Sequence, residues 1–300
     1  MDITNRKKSE FKNIYEDIQS EIYKYYDSEK IEYKYKEKPQ DTIIDFFSYL
    51  YRLIPRIKRR VIYSKELLNR IESKDLPEEH IEILKMYRDA FTTGEDMNIF
   101  LSNDIKKSKA TDFLRYTWHL YHLHMSGKFV ENKEKMKNNR SDIQLLCIIY
   151  KYEVYFVDVI KHPTKPEEYF NIRSLEIIQQ NGWMEKIGFS EISSMIPGTL
   201  KPKITDSKDI FNIYSKCSVN IPFEFRGKGY CPMEPLSSTR RPHAAVAEMM
   251  KFKKKIDELK SINGLYRGFQ IIYNDKGILN GCVKFEMPTG ETEVHIVFSL

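Results

Sequence analysis

The hydrophobic period of this chain changes near residue 117, and that change constrains the fold more than any other feature. Upstream, apolar residues recur in steps of three and four. In EFKNIYEDIQSEIYKYY they are Phe11, Ile14, Ile18, Ile22 and Tyr25, one face of a helix. In DTIIDFFSYLYRLIP they are Ile43, Phe47, Leu50 and Ile54, with Pro55 closing the segment. SKELLNRI opens on a capping serine, Ser64, and LPEEHIEILKMYRDAF places Pro77 ahead of first-turn acids, with Gly94 at its far end. Downstream, WHLYHLHMS, IQLLCIIY and EVYFVDVI are apolar runs of strand length, the last rich in β-branched and aromatic residues. They predict at least three strands of one antiparallel sheet over residues 117–162. EEYFNIRSLEIIQQNGW then predicts a helix ending at Gly182.

The remainder predicts a strand (SVNIPFEF), a Gly-rich turn (RGKGY), a helix (PHAAVAEMMKFKKKIDEL) with Ala247, Met250 and Leu259 towards a core, a hairpin tipped by Asp275-Lys276-Gly277, and a last strand, ETEVHIVFSL. The expected class is α+β in three consecutive parts: a helical N-terminal region over 1–107, a sheet with flanking helices over 108–198, and an α+β domain over 199–300. A composition of 41% hydrophobic and 31% charged residues can bury a core and argues against a disordered chain. No apolar run approaches membrane-spanning length, and the opening MDITNRKKSEFKN has no apolar leader core, so neither a membrane nor a secretory route is expected. Cys147, Cys217, Cys231 and Cys282 are widely and irregularly spaced, which suits reduced thiols in a cytoplasmic protein.

Three of the seven histidines lie within WHLYHLH, and three readings compete for them. On a strand, His122 and His124 share a face and His119 points away. A metal-dependent nuclease would use His122 and His124 with a further ligand such as His162 or Asp158. Acid–base chemistry would use His162, at the end of EVYFVDVIKH, if one sheet brings it to His122 and His124. Imidazoles beside Arg140 and Lys161 suit phosphodiester cleavage, in which one takes a proton from a 2′-hydroxyl and another protonates the leaving oxygen. The third reading is that the histidines only pack.

The order of a helix, HLYHLHMSG, a variable loop, RSDIQLLCIIY, a short turn, EVYFVDVIKH and a helix resembles the core of the RelE/ParE-type toxin superfamily over roughly residues 108–187. This chain carries about a hundred further residues on each side of that segment. It implies a metal-independent ribonuclease with no cofactor, acting on RNA or the ribosome and held in check by a neutralising protein. By position it implies His122, His124, Arg140, Lys161 and His162 as the catalytic groups. The alternative is a non-enzymatic nucleic-acid- or protein-binding module of a bacterial defence or toxin–antitoxin system.

A net charge of +6 does not identify a nucleic-acid binder, so the location of the charge matters more. Arg56, Lys58, Arg59 and Arg60 form one basic tract, and Lys133, Lys135 and Lys137 lie in the loop between two predicted strands. Both are candidate phosphate contacts. KFKKK at 251–255 is a third basic run, and RGKGY matches neither nucleotide-binding glycine motif.

Overall fold

The computed structural model describes residues 3–110, 112–125, 142–216, 221–233, 241–259, 261–275 and 277–299. In chain order the elements are α1 (Ile3–Ser28), α2 (Pro39–Arg52), β1 (Arg60–Tyr63), α3 (Lys65–Glu72), α4 (Glu78–Thr93), α5 (Phe113–Trp118), β2 (Leu120–His124), β3 (Ile143–Ile149) and β4 (Glu153–Lys161). They continue with α6 (Ile172–Gln180), β5 (Phe189–Ile192), β6 (Lys203–Ile204), α7 (Ser207–Lys216), β7 (Phe223–Phe225), β8 (Lys228–Pro232), α8 (His243–Leu259), β9 (Leu265–Tyr273), β10 (Leu279–Glu286) and β11 (Thr292–Ser299). The class is α+β, with helices first and sheets after them. No described helix is long and apolar enough to cross a membrane.

Contacts group the chain differently from three consecutive segments. One compact unit joins Met1–Pro55, Asn103–Ala110 and Ala244–Leu300, and the other joins Arg56–Ser102 to Thr111–His243. In the first unit α1, α2 and α8 pack on the antiparallel sheet β11-β10-β9. Ile14, Ile18, Ile22 and Tyr25 of α1 are buried as their spacing predicts. The α8 stripe has a different phase from the expected one. Of the expected residues Leu259 enters the core, with Ala245, Phe252 and Ile256, while Ala247 is half-buried and Met250 is exposed. Gly281 is required where it stands, since a Cβ there would lie 2.1 Å from the Phe298 ring.

In the second unit the three expected strands form one sheet, and a fourth joins it: the order is β1-β4-β3-β2, with β1 parallel to β4. Ser64 follows β1 directly. Its hydroxyl accepts from Leu67 N at 3.0 Å and donates to Val157 O at 2.6 Å, so one side chain both caps α3 and ties it to β4. One sheet face packs on Leu175, Ile177 and Ile178 of α6 through Leu120, Leu146 and Ile148. A second sheet, β5-β8-β7-β6, lies in the same unit. Cys147 and Cys282 are buried free thiols and Cys231 is exposed; Cys217 lies outside the described residues.

Candidate active site

His119 is not on the strand. It caps α5 in the left-handed region at φ 52°, and β2 starts at the next residue. Its ring packs over Gly188, where a Cβ would come within 3.2 Å of Nε2. Burial, and then the neighbouring Arg115 charge, push its pKa down from 6.5 to about 3. A depressed folded-state pKa means that protonation opposes folding. The stability tied to neutral His119 is therefore complete above about pH 6.5 and is lost as the pH falls towards 3. Asparagine tolerates the left-handed conformation. The His119→Asn variant is expected to lose less stability than the wild type over that window, read as urea midpoints against pH. Parallel curves would show that His119 does not contribute to acid sensitivity.

Alternation along β2 sends His122 and His124 to one face, with ring centroids 6.4 Å apart. Both are buried, at 9% and 7% exposure. The antiparallel pairing of β3 with β4 continues one residue beyond β4, where His162 N donates to Asp142 O at 2.6 Å. That register brings the His162 ring to 5.1 Å from His124. Tyr169, at the end of the single helical turn Pro166–Tyr169, closes the circuit, 5.4 Å from His122 and 6.3 Å from His162. Four rings thus converge at one end of the sheet, each beside two others.

Hydrogen bonds orient them. His162 Nδ1 lies 2.8 Å from Pro163 O. A carbonyl only accepts, so Nδ1–H donates and the neutral ring keeps its lone pair on Nε2. Gln144, fully buried across the strand pair from His124, directs its amide nitrogen at His124 Nε2 from 3.3 Å. With the amide this way round it donates to a neutral imidazole; turned over, its Oε1 accepts from Nε2–H of the protonated ring and leaves Nδ1–H to act as the acid. Tyr87 of α4 donates its hydroxyl to His124 O and pins the strand end. His122 Nδ1 and Gln144 Oε1 are buried without a hydrogen-bond partner among the described residues.

Two cations reach the same face through Asp158, which is 2% exposed. Its Oδ1 accepts from Arg70 of α3 and, at 2.9 Å, from Val159 N; its Oδ2 accepts from Arg173 Nε of α6 at 3.3 Å. One carboxylate against two guanidiniums leaves one net positive charge. The Arg173 side chain is 59% exposed, and its terminal nitrogens carry no hydrogen bond among the described residues.

Of the expected groups, His122, His124 and His162 come together. Lys161 does not: it precedes His162 by one residue, projects from the opposite face and is exposed. Arg140, Lys133, Lys135 and Lys137 lie outside the described residues. The structure adds Tyr169 and Gln144 to the group. Gln144 left a trace, as a polar residue inside IQLLCII, whereas PEEY offers none. The basic tract is largely structural: Arg56 pairs with Asp96 at 2.6 Å and Arg60 with Glu153 at 2.5 Å. Arg59, 5% exposed, donates to Tyr150 O at 2.8 Å and Ile57 O at 3.1 Å. Arg59 is therefore corrected from a phosphate contact to a core donor, and Lys58 alone of the four is exposed without an ion pair among the described residues.

No family model matches the chain, and no curated protein or solved structure matches it either. The site therefore has to be read from its own chemistry. Among the described residues no three His, Cys, Asp or Glu side chains are disposed to hold a metal ion.

Proposed function

We propose that this protein is a metal-independent ribonuclease-like effector, of toxin or defence type, with His122, His124, His162 and Tyr169 at its centre. The observation that carries this reading is the convergence of three imidazoles and a phenol from two strands and a turn. In the proposed step His162 Nε2 takes the proton of a ribose 2′-hydroxyl, and the 2′-oxygen attacks phosphorus. The bond from phosphorus to the 5′-oxygen breaks, and protonated His124 gives that oxygen its proton. The products are a 2′,3′-cyclic phosphate and a 5′-hydroxyl. Arg173 supplies positive charge for the phosphorane, and His122 and Tyr169 position the pair. The RelE/ParE resemblance, an RNA or ribosomal substrate, a neutralising partner and a cytoplasmic location belong to this same proposal.

A second reading is favoured by the burial of His122 and His124: a nucleic-acid- or protein-binding module in which the rings pack. Incubating end-labelled RNA with the purified full-length chain in excess chelator separates the readings. Cleavage by the wild type that is absent from an identically prepared His162→Ala sample supports the enzyme. Intact RNA supports the binding module, and cleavage that needs an added divalent cation overturns the metal-independent mechanism.

A further inference from the structure

We infer that the stretch YKYK, Tyr33 to Lys36, forms with Tyr23 and Lys109 a second site that binds single-stranded nucleic acid by base stacking and phosphate contacts. The site lies on the unit that does not carry the His122–His124–His162 cluster. Tyr23 of α1 stacks on Tyr33 with centroids 4.7 Å apart and planes 19° apart, and on Tyr35 at 5.4 Å and 30°. Tyr35 ends this stack and is 74% exposed. A large aromatic ring held in a stack yet open to water is an unfinished column, and an unpaired base has the flat face to continue it.

The charges stand beside the column. Lys34 and Lys109 are exposed, and Lys36 reaches to 3.7 Å from Asp45. Lys36 also touches Lys109 side chain to side chain, and this contact is the leading cause holding Lys109 below the ordinary lysine range, with Lys34 adding to it. Asp45 is shared by Lys36 and Lys109, Lys34 adds a third ammonium group, and a phosphodiester brought to this end of the stack meets all three.

The platform is built by the surrounding fold. Lys36 N donates to Tyr23 OH at 2.9 Å, and Gln19 donates to Lys36 O at 2.8 Å. Glu32 bridges the 106–108 segment through Glu32 N to Lys106 O at 2.6 Å and Ser108 N to Glu32 O at 2.9 Å. Buried Arg52 holds that segment from within, donating to Asp104 O, Lys107 O and Ser108 O at 3.2, 2.7 and 3.3 Å. Lys109 is thereby held against Lys36 by a pinned backbone. Duplexes hide their base faces, so the recognised form is the single strand.

This inference names how the substrate class of the proposed ribonuclease is held, and rests on that reading for RNA as the natural ligand. The test is fluorescence anisotropy with a labelled 2′-fluoro oligouridylate of about 12 nucleotides, within the usual range of single-strand site sizes. Lacking the 2′-hydroxyl, the probe cannot be cut by the proposed chemistry. Tyr35→Ala should weaken binding about 5- to 100-fold, the cost of one stacked base, while Tyr35→Phe retains it. The Lys34→Glu/Lys109→Glu variant should flatten the slope of log affinity against log salt by about 1.4, two phosphate contacts. These side chains are exposed, so the melting temperature should not move. Unchanged affinity in Tyr35→Ala, equal binding of a blunt RNA duplex, or no binding by the wild type overturns the inference. RNA cleavage with full affinity in Tyr35→Ala sinks this site and spares the ribonuclease reading. Platform binding without cleavage by the wild type does the reverse.

Discussion

Replacing His162 or His124 by alanine is expected to lower RNA cleavage by about 10²- to 10⁴-fold each, the usual contribution of a general acid or base. The two differ in what else they lose. His162 is half-buried and its ring meets the backbone at Pro163 O. Its removal should leave the melting temperature nearly unchanged. His124 is 7% exposed and partners the buried Gln144 amide, so His124→Ala also leaves a polar group unsatisfied and lowers stability. Single-turnover rates at saturating enzyme, compared with thermal unfolding of the same samples, separate these effects. A catalytic His162 loses rate without stability. A packing His162 loses stability in proportion to any loss of rate, and that result would return the cluster to the core.

The largest expected change in stability is at Asp158. This carboxylate is 2% exposed and holds Arg70 and Arg173 together. Asp158→Ala leaves the Arg70 guanidinium, only 26% exposed, without its counter-charge. Breaking a buried pair from one side costs about 3–5 kcal/mol. Urea unfolding should show this as a shifted midpoint at unchanged slope. Asp158→Leu combined with Arg70→Leu should cost less than Asp158→Ala alone, because no buried charge is then left unpaired. Equal losses would mean that the pair stabilises the fold outright.

The α1 stripe, the Ser64 cap and the three strands over residues 117–162 were legible because each depends on local period or local hydrogen bonding. β1 was not. RVIY is four residues long, overlaps a basic tract, and pairs in parallel with a strand some ninety residues away. Local pattern does not record that partner, and it equally conceals that Arg59 points inward to carbonyls beside the strand. Within the site, alternation alone placed His122 and His124 together. The meeting with His162 depended on the β3–β4 register, where a one-residue slip would have sent the ring to the other face. Tyr169 reaches the cluster from a short turn with no period to read. The α8 phase is not legible because Met249, Met250, Phe252 and Ile256 offer two overlapping stripes, and only packing chooses between them.

The most direct test of the central claim is the chemical identity of the RNA ends made by the full-length protein in chelator, resolved by mass spectrometry of the cleaved oligonucleotide. Attack by a neighbouring 2′-hydroxyl under imidazole acid–base catalysis predicts 2′,3′-cyclic phosphate and 5′-hydroxyl ends that vanish in His162→Ala and with a 2′-deoxy residue at the scissile position. Ends carrying a 5′-phosphate, cleavage that persists at the 2′-deoxy position, or RNA left intact would contradict it.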